Sequence, residues 1–480
     1  MRRWVAAGSA VVTTLATAGA MVAPASGAAA KGGKSTGWKA ISTPSDLTAG
    51  TDAPSVAQFG STYEAAWMHT YGTGTSHTYG IDARILSGGD KPVGKVITVT
   101  KGWSVIAADP VILKADGMRV IAFNGAKGSN PASPYGTPAE YYFTSSNGKA
   151  WTLHAGGLTA ETSFANDASV AAIGSTSIIT AEYGGDRIQY NVGFPTSANP
   201  PSSFDGHTEP TGNYADLPGV AATGSKAWIA WYSSSNIKKN GGGIQVQQVL
   251  PSTGTRMQAP GTYQKANNLT GATHERVPIV IAHGKPFVAY SRYDNQGVYV
   301  WKVGAKKPFA KLKTPGEYEV TLATGPGGRI WVLWYGSGGT YASRSNKADT
   351  HFGPKTHVSN SPNQAPGAML ASGSHGPLVV TAFIGNYAQA KKDAIFSTEI
   401  RPRLSCSASP STTKGGKKVA IKVVDAGDPV KGAKVSFAKV SKKTNKKGLA
   451  KIHVPHAAGT YAAKASISGY VGCTTKVHVT

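Results

Sequence analysis

Glu182 and Tyr183 are the residues of this chain whose types and placement most suggest chemistry. Glu182 stands where six comparable positions hold an aromatic side chain: Trp67, Phe123, Trp231, Tyr290, Trp334 and Phe383. A carboxylate in a place built for a ring is partly desolvated, which raises its pKa and suits it to acid–base work. The structural alternative is an ion pair with a nearby arginine such as Arg187. A second group is His274-Glu275-Arg276. With Tyr183 or Tyr293 beside it, His274 could remove a proton next to a uronic carboxylate that Arg276 neutralises. A third set, Asp52, Asp109, Asp167, Asp216 and Glu319, stands just ahead of apolar strands. Two such carboxylates brought together could act as acid and base on a glycosidic bond, or offer oxygen ligands to a cation. Asp ahead of a strand is also a common turn former. A fourth set, Tyr71, Tyr183, Tyr232, Tyr293 and Tyr335, falls at or just past strand ends. Rings there can stack on flat apolar ligand faces while the phenol hydrogen-bonds.

The elements that must hold these residues are short and β-rich. Each of the seven positions closes an apolar run and follows a small or aliphatic residue: Ala66, Ala122, Ala181, Ala230, Ala289, Leu333 and Ala382. The steps between successive second members are 56, 59, 49, 59, 44 and 49 residues. A recurrence near 50 residues marks a β-propeller, in which each repeat is a four-stranded blade. The aromatic members read as core, packed between blades. No sustained helical periodicity follows the first 30 residues, and clusters of Gly, Ser, Asn and Pro punctuate the runs. The fold class is all-β: a seven-bladed β-propeller, with six or eight blades as alternatives, followed by a small β-sandwich. The last repeat shows three strands, and Trp38-Lys39-Ala40-Ile41-Ser42 is a spare strand before the first. Its pairing into the last blade would cover an open edge. The long stretches Asn124–Glu140 and Ser233–Gly243 read as one rim of loops.

The organisation is residues 1–30, 31–400 and 401–480. Arg2-Arg3, the uncharged run Trp4–Val22 and Ala28-Ala29-Ala30 have the form of a secretory signal peptide. The expected location is secreted, extracellular or cell-wall associated, without a transmembrane anchor. The two cysteines, Cys406 and Cys473, flank the last part and are expected to form a disulfide. The chain carries 49 Lys and Arg against 24 Asp and Glu. Sixteen of those bases and two of those acids lie in 401–480, so the basic excess is concentrated there. Such a surface attracts anionic polymers. An anionic cell-wall polymer or extracellular glycan is the expected partner; nucleic acid is not expected, and a monomer is. The chain has no zincin motif, nucleophile elbow, phosphate loop or dinucleotide fingerprint. Its twelve histidines show no ligand spacing, so no metal or cofactor is expected.

Thr144-Ser145-Ser146-Asn147-Gly148-Lys149-Ala150-Trp151 resembles the Asp box of sialidases and other BNR-repeat propellers. Thr144, Gly148 and Trp151 fit, and Ser146 stands where the family has Asp. The resemblance implies a sialidase-like propeller in which the box is a structural turn between third and fourth strands. Val430–Phe437, Thr444-Asn445, Gly448–Ala450, Ala458–Tyr461 and Ser468–Tyr470 resemble bacterial immunoglobulin-like domains, used as spacers or adhesive modules. Together these features suggest a carbohydrate- or cell-envelope-binding protein, with a glycan on one propeller face and an anionic polymer on the basic C-terminal part. One alternative is a glycoside hydrolase of sialidase-like type or a polysaccharide lyase. The other is an adhesive or scaffold protein without a small ligand.

Overall fold

The computed structural model describes residues 37–42, 54–72, 78–88, 91–106, 110–127, 139–159, 168–175, 177–183, 187–193, 205–208, 215–233, 243–262, 276–291, 297–312, 320–336, 339–358, 368–372, 376–384 and 394–480. The chain divides into the units Met1–Lys31 and Gly32–Thr480. The expected signal segment 1–30 lies outside the described residues, as do most of the two expected rim loops.

Among the described residues up to 400, the strands form seven antiparallel sheets. Their first strands are Ser55–Phe59, Val111–Ala115, Ala168–Ile173, Ala215–Thr223, Ile279–Ala282, Val320–Thr324 and Ala368–Ser372. The second strands are Thr62–Tyr71, Met118–Ala126, Ser177–Tyr183, Lys226–Ser233, Lys285–Ser291, Ile330–Gly336 and Leu378–Ile384. Each sheet is built on an up-and-down meander; Val105–Ile106 adds a strand beside Met118–Ala126 in the second, and the outer strand of the seventh comes from the N-terminal side. The recurrent pairs of the sequence all fall on these second strands.

First strands of successive sheets lie side by side, and those of the seventh and first sheets do so too. Ile112 N donates to Ser55 Oγ (2.9 Å), Val220 N to Ser169 Oγ (3.1 Å) and Val277 N to the Leu217 carbonyl (2.8 Å). The seventh sheet reaches the first through Thr381 Oγ1, which donates to the Pro54 carbonyl at 3.4 Å. The approach between the fourth and fifth sheets is close enough to require glycine: a Cβ on Gly219 would stand 1.9 Å from the Val277 carbonyl oxygen. The fold is propeller-like and all-β, with one 3-10 turn, Pro326–Gly328, among the described residues. The spare N-terminal strand, Lys39–Ala40, pairs with Ala394–Ile400 and completes the seventh sheet, as expected.

The recurrent pair is a packing device. Its small member shares a cluster with the large member of the next sheet: Ala66 with Phe123, Ala181 with Trp231, Ala230 with Tyr290 and Ala289 with Trp334. Alternate residues of a strand point to opposite faces, so a small residue facing forward makes room for a ring facing back. Trp67, Phe123, Trp231, Tyr290 and Trp334 are all fully buried. Burying such a ring removes roughly 150–250 Å² from water.

Residues 401–480 form two further sheets around a core of their own. One holds Ser405–Ser409, Lys418–Asp425, Asp428–Pro429 and Leu449–His453. The other holds Thr412–Thr413, Lys434–Phe437, Val440–Lys443, Gly459–Ser466 and Cys473–Val479. Val419, Ile421, Val423, Val435, Phe437, Ile452 and Val477 fill the space between. The expected disulfide joins Cys406 to Cys473, linking one sheet to the other with the Cα atoms 5.7 Å apart.

This part is fastened to the sixth sheet by buried charge. Asp425 Oδ2 accepts from Arg329 Nη1 (2.9 Å), Arg344 Nη2 and the Tyr470 hydroxyl (3.2 Å). Asp428 Oδ2 accepts from Arg329 Nη2 (2.5 Å) and Lys347 N (2.8 Å). Arg329, Arg344 and Asp425 are nearly inaccessible to solvent. Among the described residues, no helix is long and apolar enough to cross a membrane.

Candidate functional site

Four of the five tyrosines expected at strand ends lie among the described residues, at or next to the ends of second strands. Tyr71 and Tyr183 close the second strands of the first and third sheets; Tyr232 and Tyr335 stand next to last in those of the fourth and sixth. They share one end of the sheets but lie on four different sheets. Asp216 is the register partner of Tyr232 across the first two strands of the fourth sheet, so a leading acidic position and a strand-end tyrosine position are paired there. Glu182 pairs with Ala168 on one side and Gln189 on the other. For Glu182, Tyr183, Asp216 and Tyr335 the description is of the backbone. Arg276 is buried and stands next to Val277, which bonds to the fourth sheet. His274, Glu275, Tyr293, Asp52, Asp109, Asp167 and Glu319 lie outside the described residues.

The most complete constellation is on the first sheet, around Tyr71. His69 and Tyr71, two apart on one strand, point to the same face, and their rings stack with centroids 3.9 Å apart. Asp82 lies on the next strand, opposite Trp67. It is buried and accepts at both oxygens: Oδ2 from His69 Nδ1 (2.5 Å) and Oδ1 from the Tyr71 hydroxyl (2.9 Å). Thr98 Oγ1 lies 3.4 Å from the same hydroxyl. Gly80 makes room for the ring, since a Cβ there would stand 2.6 Å from Tyr71 Cε2 and 2.3 Å from the Thr100 carbonyl. The arrangement holds a half-buried aromatic plate in one orientation. When His69 Nδ1 donates to the Asp82 carboxylate, Nε2 is left as the acceptor, the usual condition of an imidazole base.

A second polar group sits at the same end of the second sheet. Asn124 and Glu140 are cross-strand partners, and both are buried. Among the described residues, neither polar atom of the Asn124 side chain has a hydrogen-bond partner. Burial, and then the Glu140 charge, push the neighbouring Tyr142 phenol up to about 12. On the fourth sheet Arg256 lies over the Trp231 ring at 5.2 Å and donates to Gln245 Oε1 at 3.1 Å. Gln245 is the cross-strand partner of Trp231.

The Asp-box-like turn lies at the opposite end of the second sheet. Two of its amides are taken by the Asn147 side chain, one residue after the position the resemblance assigns. Asn147 Oδ1 accepts from Lys149 N (2.8 Å) and Ala150 N (3.2 Å), and Ser145 Oγ accepts from Gly148 N (2.9 Å). The turn also covers a buried ion pair, Arg119 Nε to Glu64 Oε2 at 2.6 Å. A Cβ on Gly148, whose φ is +73°, would stand 2.6 Å from that carboxylate. Burial pushes Glu64 up to about 7 against the pull of Arg119.

His69, Asp82, Asn124 and Glu140 escaped the sequence reading. Asp82 carried a signal, as a charge in the middle of the apolar strand Ile81-Asp82-Ala83, and His69 extends the alternating face that begins at Trp67. Asn124 and Glu140 are sixteen residues apart in sequence and meet only through the strand register.

No family model matches this chain, and no curated protein matches it. Among solved structures it is similar to a protein of unknown function from Dyadobacter fermentans, with 10% identity and a TM-score of 0.46 over 77% of this chain and 99% of that one. It is also similar to a NanB sialidase from Streptococcus pneumoniae, with 10% identity and a TM-score of 0.43 over 76% of this chain and 70% of that one. The β-propeller domain of a trilobed protease from Pyrococcus furiosus is 8% identical, with a TM-score of 0.41 over 73% of this chain and 94% of that one.

Proposed function

We propose that the chain is an exported carbohydrate- or cell-envelope-binding protein. In this reading residues 31–400 are a seven-bladed propeller and residues 401–480 an immunoglobulin-like sandwich. A glycan lies across the end of the sheets where second strands give way to third, and the basic C-terminal part holds an anionic polymer. The observation that carries the reading is the Tyr71 plate. A ring fixed by Asp82 and backed by His69 loses little freedom when a sugar stacks on it, and fixed groups bind at lower entropic cost. Tyr232, Tyr335 and Asp216 stand at the same end of their own sheets and extend the surface.

The second reading, a lyase or hydrolase on the same face, is favoured by the His69–Asp82 pair, which orients an imidazole as a base. Glu182 and Tyr183 would then stand as acid–base candidates on the third sheet, with Arg276 as a neutralising cation. A glycan array probed with the whole protein, with and without added salt, tests the first reading. Binding of defined sugars that survives salt supports it; no bound sugar sinks it. Turnover of a bound glycan that Glu182→Gln or His69→Gln abolishes would replace it with the second.

A further inference from the structure

The C-terminal part holds only two acidic residues, Asp425 and Asp428, and both face the arginines of the sixth sheet. Its remaining charged side chains are all basic, and beyond Arg403 every one of the fourteen is lysine. The contact with Arg329 and Arg344 therefore engages both carboxylate side chains of this part in ion pairs, burying Asp425 and leaving Asp428 only partly exposed. Among the described residues, the exposed lysines here enter no ion pair.

On the five-stranded sheet these lysines are ordered. Lys443 and Lys434 are cross-strand partners. Lys464 lies on the next strand, two residues further along, opposite Ser436. Lys476 lies on the strand after that, another two residues along, opposite Ala462. His478 continues the line. All five are exposed. Each diagonal step crosses one strand spacing of about 4.8 Å and two residues of about 3.4 Å, so successive charges sit about 8 Å apart. Ser436, Ser441, Ser466 and Thr474 place hydroxyls between them on the same face.

We propose that this diagonal is a docking track for a linear phosphodiester polymer without bases. The inference rests on the reading of the C-terminal part as the holder of an anionic polymer and adds which face holds it and which anion. Lysine is a point charge that meets a tetrahedral phosphoryl group in any rotation, whereas planar carboxylates are matched by the arginine fork, which this face lacks. Serine and threonine hydroxyls are ordinary donors to phosphate oxygens. No Phe, Tyr or Trp stands along the track to stack on a base.

The test compares the whole protein with two triple variants of equal charge change, using inorganic polyphosphate as probe over a salt series. One variant, Lys434→Gln with Lys464→Gln and Lys476→Gln, removes the track. The other, Lys418→Gln with Lys422→Gln and Lys451→Gln, removes exposed lysines from the four-stranded sheet. All six positions face solvent, and matching thermal melts check that each variant folds. The track variant should bind at least tenfold more weakly at low salt, and its slope of log affinity against log salt should fall by about two. The other variant should change less than threefold. Equal losses in the two variants would overturn the track while leaving the polyanion reading standing. Absence of polyphosphate binding by the unaltered protein would overturn both. Polygalacturonate binding as tight as polyphosphate, with the same dependence on the track, would overturn the choice of phosphate.

Discussion

Three neighbours restrict the freedom of the Tyr71 ring. Asp82 takes its hydroxyl, His69 backs its ring, and Gly80 leaves the space the ring fills. The same end of the second sheet holds Asn124, whose amide has no partner among the described residues, and a buried polar group in that condition costs roughly 1–3 kcal/mol. Glu64, at the other end of the sheets, supplies the sharpest pH expectation. Its folded pKa, about 7, lies above its ordinary value of 4.5, so the folded state holds this proton more tightly. The resulting stabilisation is complete below pH 4.5, declines as pH rises towards 7, and is gone above it. Urea unfolding of the protein and of Glu64→Gln should therefore show a stability difference that shifts by on the order of 3 kcal/mol across that window. A difference that stays flat would show that Glu64 is ionised throughout.

At the scale of elements, the sequence was most legible where a packing rule repeats. Ala66-Trp67 and its successors announce second strands because adjacent sheets leave alternating narrow and wide spaces, and that constraint recurs at every seam. Lys39–Ala40 was legible as the closing strand because the last sheet lacked one. What stayed hidden depends on register. His69 and Asp82 become partners only when Trp67 is set opposite Asp82, and no local pattern states that pairing. Asn147, one residue from the position the box motif marks, takes the turn amides because its side chain reaches them. The packing rule makes a direct prediction. Trp231→Ala should cost about 3–5 kcal/mol in a denaturant titration, since the neighbouring Ala181 cannot fill the space. A cost below about 1 kcal/mol would mean that the seam collapses around the gap.

At the scale of the whole molecule, the contact between the sixth sheet and the C-terminal part had no sequence signal. Arg329 and Asp425 are 96 residues apart, and Arg344 and Asp425 are 81 apart. Removing one partner of a buried ionic cluster leaves the others uncompensated. Asp425→Asn should lower stability by roughly 3–5 kcal/mol and separate the unfolding of the two parts in calorimetry. Unchanged melting would show the cluster to be dispensable. The same contact joins the part proposed to hold the sugar site to the part proposed to hold the polyanion track. The measurement that tests this account most directly is calorimetric titration of the whole protein and of Tyr71→Ala with the best glycan from an array. The account predicts salt-insensitive binding by the protein and a loss of at least tenfold in the variant, as a stacked ring contributes its buried area and roughly 0.5–1.5 kcal/mol beyond it. Equal affinity in the two proteins, or binding that salt abolishes, would contradict it.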